Sequence, residues 1–515
     1  MNNTKRSLTD LLGEDYINAV CRARAALSGE DEVSLLAIAR EKVSFYPKDF
    51  ALRQEELMNK LMQQMIPAFE SCESGAPSDS YRTAQHNASS PLNGYGCFRL
   101  GEDGRLYFAG KSEHYHIPLG HSFPGYQLID KARQLGIPNA THNNTRGYIT
   151  RTLERRLIAA ANGTDPGSEQ TQAILSSREP GVLSRVINLE TGSLAVEAAL
   201  KMMLTRFYPL EGGNAAYQGR IPVFLVMGDN AGGITGNYHG TTIFAQTLRG
   251  LWPQLLEKSE EHHIYRVESV PINDINGFAE AIIKWNTPPY KTAGFCHEII
   301  LMNYGGIRLS EEYLQEVYRL CHASDTPVLC DEIQSCAWYD GLFLFRQYQL
   351  TPDFVSIGKG FPGGCYPASK ILASGAFDGL SQFGALVTNG QEELASLAYL
   401  ITMEFVQDNG PQITENSRYY HDSVCRLAAD FPGYCTGVEG DAMMTALCFD
   451  SVDTAVDFCK SMNTVYGIDI SAQTYKPNCP PVALTKLPVI TSKPMTDHII
   501  DAMRETLTLK KGGTL

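Results

Sequence analysis

From about residue 151 to 405, short apolar runs alternate with helix-like stretches, and this alternation constrains the fold more than any other feature of the chain. The apolar runs are Ile221–Met227 (IPVFLVM), Glu298–Met302 (EIILM), Pro327–Cys330 (PVLC) and Phe354–Ile357 (FVSI). Between them lie Leu194–Phe207 and Glu311–Ala323, whose apolar spacing is helical. Strands that are apolar throughout, separated by helices, read as a mostly parallel sheet covered on both faces. Residues 1–85 read helical instead, in amphipathic runs such as 31–39 and 52–62. A break rich in Ser, Gly, Pro and Asn follows at 71–90. Two β-like runs flank the turn Gly101-Glu102-Asp103-Gly104. The last hundred residues mix short strands and helices, ending in a helix-like stretch over 495–507.

Length and charge limit the function. A chain of 515 residues has a prior of about three domains. Acidic residues number 57 against 43 basic ones, a net charge of −14. That balance argues against nucleic acid or an anionic membrane as the main partner, though not against a small anion held locally. No stretch approaches 18 uninterrupted apolar residues, so no membrane span is expected, and the polar start has no apolar signal-like core. The 13 cysteines are scattered without a CxxC pair. We read them as reduced thiols of a cytoplasmic protein and expect no metal site.

Four places could carry chemistry. Lys359 follows a buried strand in Ser356-Ile357-Gly358-Lys359-Gly360, where glycines admit a close ligand. A desolvated lysine there suits Schiff-base chemistry, but a lysine on an exposed glycine-rich loop has the same local sequence. Asp331 ends the run Thr326–Cys330. Carboxyl ends of parallel strands face the ligand crevice, so Asp331 could hold a cationic ring nitrogen or simply cap the next element. Glu190-Thr191-Gly192-Ser193 opens a strong helical run. It is a ready phosphate site and equally an ordinary N-cap. Tyr238 could stack on an aromatic ligand, while His239 beside it reads more simply as a structural histidine.

In this order, with the lysine 28 residues after the aspartate, the set resembles the class III (omega-amino-acid) aminotransferases. These are pyridoxal-phosphate enzymes of fold type I. The resemblance runs from about Gly94 to the C-terminus. Its markers are Asp331-Glu332-Ile333-Gln334 (family D-E-V-Q), Leu342-Phe343, Pro352-Asp353 and Gly358-Lys359-Gly360 through Pro367. Leu119-Gly120-His121-Ser122-Phe123-Pro124 matches the family's L-G-H-x-H-P, and the run from Thr388 to Glu404 aligns without gaps.

The resemblance implies an α/β fold with a mostly parallel, seven-stranded-type sheet in a large domain over 151–405. A smaller α+β domain would be built from both chain ends, 86–150 and 406–515, leaving 1–85 as a helical extension over the active-site mouth or the dimer surface. It implies an aminotransferase that moves an amino group between an amino donor and a keto acid or aldehyde. Its cofactor would be pyridoxal 5'-phosphate, held by Lys359 as a Schiff base. By the same token Asp331 pairs with the pyridinium nitrogen and Gln334 lies near the phenolic oxygen. Gly192 and Ser193 hold the phosphate, and Tyr238, with His239 beside it, stacks on the ring. Thr388 reaches the phosphate of the neighbouring subunit in a homodimer. Glu298 lies near the substrate, and Lys486 is the nearest cation where many members keep a carboxylate-binding arginine.

Several positions depart from the family pattern. Leu194 replaces the acidic residue of G-S-E-A, and Ser335–Gly341 replaces T-G-F-G-R-T-G. Glu392-Glu393 stands for Asn-Pro, and Ile299 for the proline after the substrate-side glutamate. The cofactor residues match while the substrate residues do not, which leaves another pyridoxal-phosphate reaction (decarboxylase, epimerase, aminomutase or lyase) as the alternative.

Overall fold

The computed structural model describes residues 1–69, 75–79, 87–141, 145–210, 212–228, 240–474 and 479–511. The chain divides into two compact units. The larger holds residues 6–42 and 128–407, and the smaller 1–5, 43–127 and 408–515. The segment expected as a separate extension, 1–85, is thus shared between them.

The larger unit is built on a seven-stranded sheet. Its strands are β1 (Leu183–Leu189), β2 (Ile221–Met227), β3 (Arg266–Val270), β4 (Tyr290–His297), β5 (Val328–Asp331), β6 (Phe354–Ile357) and β7 (Ser369–Ser374). They lie in the order β1-β7-β6-β5-β4-β2-β3. β7 runs antiparallel to both its neighbours, and the remaining pairings are parallel. Every residue of β2, β5, β6 and β7 is buried, as expected of strands with helices on both faces. The helices that matter for the site are α1 (Tyr148–Asn162), α2 (Gly192–Leu204), α3 (Glu311–Ala323) and α4 (Glu393–Asp408). Helix α2 packs on β1, β4, β6 and β7. Its Ala195, Val196, Ala199, Leu200 and Met203 form one core cluster with Phe224, Leu329, Phe354 and Ile371 from the strands.

One strand differs from the sequence reading. The run 298–302 looked like a strand, but β4 ends at His297, and Ile300–Leu301 forms a separate two-residue pair with Ile307–Arg308. The sequence of β4 (YKTAGFCH) hid it, because Lys291 and His297 sit where an apolar run was expected. Both are buried with partners. Lys291 donates to Asn286 Oδ1 (2.8 Å) and to the Ser324 carbonyl (2.7 Å), so its charge costs far less than an unpaired one would.

The smaller unit is α+β. A three-stranded antiparallel sheet (Pro91–Tyr95, Phe98–Gly101, Leu106–Phe108) turns at Gly101–Gly104. A four-stranded antiparallel sheet (Cys435–Asp441, Met444–Phe449, Val482–Leu484, Ser471–Ala472) is accompanied by the helices Gly410–Asp430, Val452–Thr464 and Lys493–Lys511. Among the described residues no helix is long and apolar enough to cross a membrane, and no cluster of His, Cys, Asp and Glu could hold a metal ion.

Candidate active site

Register places three ionisable groups along one edge of the large sheet. His297 pairs with Cys330 and Asp331 with Ser356. Glu298, just past β4, Asp331, at the end of β5, and Lys359, two residues past β6, therefore lie at the carboxyl ends of three adjacent parallel strands. In such a sheet the crevice forms at that edge. Glu298 and Asp331 are buried, and Lys359 is partly so. Burial pulls the pKa of Lys359 below that of an ordinary lysine. The carboxylates of Glu298 and Asp331, and the thiol of Cys336 beside them, pull it partly back. A lysine held this way keeps a larger fraction as the free, nucleophilic amine. Its backbone sits at φ 46°, in the left-handed region that a lysine occupies only when its surroundings impose it.

The motif Asp331-Glu332-Ile333-Gln334 sends its first three side chains to three different tasks. Asp331 Oδ1 accepts from the Ile333 amide (3.0 Å) and from the Ser356 hydroxyl, which fixes the carboxylate's orientation. Glu332 turns the other way and is fully buried. Its Oε1 accepts from the Phe345 amide (2.6 Å) and its Oε2 from the Ser335 hydroxyl. Burial raises its pKa to about 7, against the pull of those bonds. The Ile333 side chain fills the space that two glycines leave. A Cβ at Gly192 would come within 2.9 Å of Ile333 Cδ1, and one at Gly358 within 2.8 Å. The start of α2 and the lysine loop thus close on the same side chain. Gln334 is buried next in line.

Helix α2 begins at Gly192 with Thr191 as its cap, whose hydroxyl accepts from the Leu194 amide at 3.4 Å. The first amides of a helix have no partner within it, and the dipole favours an anion there. Ser193 Oγ accepts from the Thr241 amide (3.0 Å) and hydroxyl (2.9 Å). Thr242 Oγ1 donates to Glu197 (2.8 Å). Hydroxyls from two segments therefore gather at this helix start, and the sequence reading had not singled out Thr241 or Thr242. Tyr238 and His239 lie outside the described residues.

Thr388 is exposed, on the turn between β7 and α4. Lys486 belongs to the smaller unit. It is fully buried, its amide donates to the Gly110 carbonyl (2.9 Å), and its ammonium lies 4.7 Å from the centre of the Tyr115 ring. Cys336 and His297 also escaped the sequence reading. Cys336 stands where the family pattern has glycine, which was the one available signal for it.

Comparison with known proteins identifies the family and the fold. The family model for class III aminotransferases matches residues 86–424. An adenosylmethionine-8-amino-7-oxononanoate aminotransferase from Staphylococcus aureus is 25% identical over 271 residues, which are 48% of this chain and 57% of that protein. Among solved structures, the ornithine aminotransferase of Toxoplasma gondii superposes with a TM-score of 0.64 at 16% identity, covering 86% of this chain and 93% of its own. An adenosylmethionine-8-amino-7-oxononanoate aminotransferase from Methanocaldococcus jannaschii gives 0.64 at 17% identity, covering 89% and 99%. The chain belongs to the class III aminotransferases, pyridoxal-phosphate-dependent enzymes of fold type I.

Proposed function

We propose that this protein is an aminotransferase that moves an amino group between an amino donor and a keto acid or aldehyde, with Lys359 as the attachment point of pyridoxal phosphate. One observation carries the reading. At the carboxyl edge of the sheet, a lysine whose pKa burial draws below the ordinary value lies one strand over from a buried, oriented carboxylate, Asp331.

The residues suit the cofactor's parts. An aldehyde needs a free amine, a basic ring nitrogen needs a carboxylate, and a phosphate monoester needs a helix start with hydroxyls. When bound, the cofactor supplies an electron sink for the substrate carbon. Asp331 would keep the proton on the ring nitrogen, and the bonds from Ser356 and Ile333 hold it in place for that. Gln334 would face the phenolic oxygen. Gly192 and Ser193 would bind the phosphate through their amides and the Ser193 hydroxyl. Lys359 Nζ, once released from the cofactor, would take up and move the proton lost by the substrate carbon. Glu298 would face the substrate, and Lys486 would be the cation for a substrate carboxylate.

We also propose a homodimer in which the partner subunit's Thr388 completes the phosphate site. The exposure of Thr388 in the single chain supports that reading. We also propose a reducing, cytoplasmic setting, since the 13 cysteines are scattered without a CxxC pair.

The test is direct. Purified protein incubated with pyridoxal phosphate should turn yellow, and borohydride reduction should leave the cofactor's mass on the peptide containing Lys359. Lys359→Ala should lose both signals. Amino donors should bleach the band and a keto acid should restore it. Release of carbon dioxide or ammonia without that cycle would point to another pyridoxal-phosphate reaction, and no uptake at all would defeat the proposal.

A further inference from the structure

Glu298 lacks the local constraint that the family pattern supplies, because the next residue is Ile299 and not a proline of fixed φ. The residue before it provides another device. His297 ends β4 and is 1% exposed. Its Nδ1 lies 3.2 Å from the Glu298 carbonyl oxygen, and its Nε2 lies 2.9 Å from the Tyr318 hydroxyl on α3. A carbonyl can only accept, so Nδ1 carries the proton and donates. Nε2 is then the acceptor, and the Tyr318 hydroxyl donates to it. The ring is stacked on Phe295 (centroids 5.0 Å, planes 15° apart) and meets Tyr318 edge-on (5.6 Å, 82°). It is therefore held in one tautomer and one orientation. Burial pushes its pKa down to about 4. The titratable groups around it are Tyr318, the Cys330 thiol across the strand and Glu298. Burial raises Tyr318 and Cys330, so both stay neutral.

We propose that His297 and Tyr318 are positioning residues that tether the Glu298 backbone and so hold its carboxylate toward Lys359. The proposal rests on the reading of Lys359 as the cofactor's attachment point. A carboxylate near the lysine nitrogen favours its protonated form. Cutting the tether lets Glu298 move off and lowers the pH at which the Lys359-linked group titrates. Asp331 and Cys336 are the other groups acting on Lys359, and the variants leave both in place.

The experiment uses the full chain loaded with pyridoxal phosphate and follows the cofactor absorbance against pH. The variants are Tyr318→Phe, His297→Gln, Glu298→Gln and the double Tyr318→Phe/Glu298→Gln. Tyr318→Phe keeps the ring packing and removes the hydroxyl that fixes the tautomer and also bonds the Cys330 thiol, so it guards against loss of fold. The apparent pKa should fall by about half a unit or more in Tyr318→Phe and His297→Gln. It should fall further in Glu298→Gln, and the double variant should match Glu298→Gln. An unmoved titration in both tether variants, with a lowered melting temperature, would mean a merely structural role and overturn the inference. So would a double variant that shifts beyond Glu298→Gln alone. Normal cofactor binding with an unmoved titration defeats this inference only, whereas failure of the wild-type chain to bind the cofactor defeats the functional reading and this inference with it.

Discussion

Glu332 shows how a residue of the central motif can matter without facing the crevice. Its carboxyl group fastens Ser335 and Phe345, the two ends of the loop that follows Asp331. Its folded pKa of about 7 lies above the ordinary carboxylate value, so the native state holds a proton that the unfolded chain has released. Its contribution to stability is therefore complete at low pH, below the unfolded pKa of about 4.3, and is lost as pH rises through about 7. Glu332→Gln imitates the protonated form, since its carbonyl can accept from the Phe345 amide and its amide can donate to Ser335. Urea midpoints measured at about pH 5 and about pH 7.5 should differ less in Glu332→Gln than in the wild type. An equal or larger difference would show that Glu332 is ionised when folded. Asp331 and Lys359 were legible in the sequence because a strand end followed by a charged residue marks the crevice edge. Glu332 and His297 were not, because nothing in a single sequence says which of two adjacent polar side chains turns inward to satisfy the backbone.

At the scale of elements, the departure Glu392-Glu393 acquires a physical reason. Helix α1 starts at Tyr148 after Gly147, which has no side chain to cap it. Glu393, nearly fully buried, supplies the cap from elsewhere in the chain. It accepts from the Ile149 amide (2.9 Å), the Thr150 amide (3.1 Å) and the Thr150 hydroxyl (2.6 Å). In turn Asn139 serves the start of α4, accepting from the Glu393 and Leu394 amides at 3.2 and 3.1 Å. The turn bearing Thr388 leads directly into this locked corner, which is held further by Thr141 donating to the Gln391 carbonyl (2.6 Å). Glu393→Ala strips a charged cap and strands two buried amides. It should cost about 2–3 kcal/mol in denaturant midpoints at unchanged slope. Glu393→Gln should cost less, and a loss below about 0.5 kcal/mol in the alanine variant would refute the capping role. The period of the apolar residues made α3 readable from sequence, unbroken apolarity did the same for β2, and near-unbroken apolarity for β6. The strands β1, β3 and β7 were not singled out. Their polar members, such as Asn188 and Lys370, are satisfied by partners far away in sequence, with Lys370 Nζ donating to Asn188 Oδ1 at 2.5 Å.

At the scale of the whole chain, the first 42 residues decide whether the larger unit is complete without them. Residues 6–42 belong to that unit through three short helices, Leu8–Leu12, Glu14–Ser28 and Glu32–Arg40. Their Leu8, Leu11, Leu12, Ile17, Cys21, Leu35 and Ala39 are buried. Tyr16 stacks on Tyr148 at the start of α1 with centroids 4.3 Å apart. Arg6 bonds Glu404 of α4 at 2.8 Å, and Arg156 of α1 bonds the same carboxylate. Burial alone would raise the pKa of Glu404, yet the two arginines hold it below the ordinary value. Glu404 thus depends on charges from both sides. The segment therefore completes the surface of α1 and α4, the two helices that anchor the Thr388 turn. A chain beginning at Val43 would expose the partners of those apolar residues and leave Glu404 with one arginine where it had two. It should melt more than about 5 °C lower than the full chain and bind hydrophobic dyes. The single variant Arg6→Ala, which keeps the apolar contacts, should cost only about 1 kcal/mol. A shortened chain that melts with the full one would show that this segment serves something outside the larger unit's core, and the ion pair at Glu404 would then be incidental.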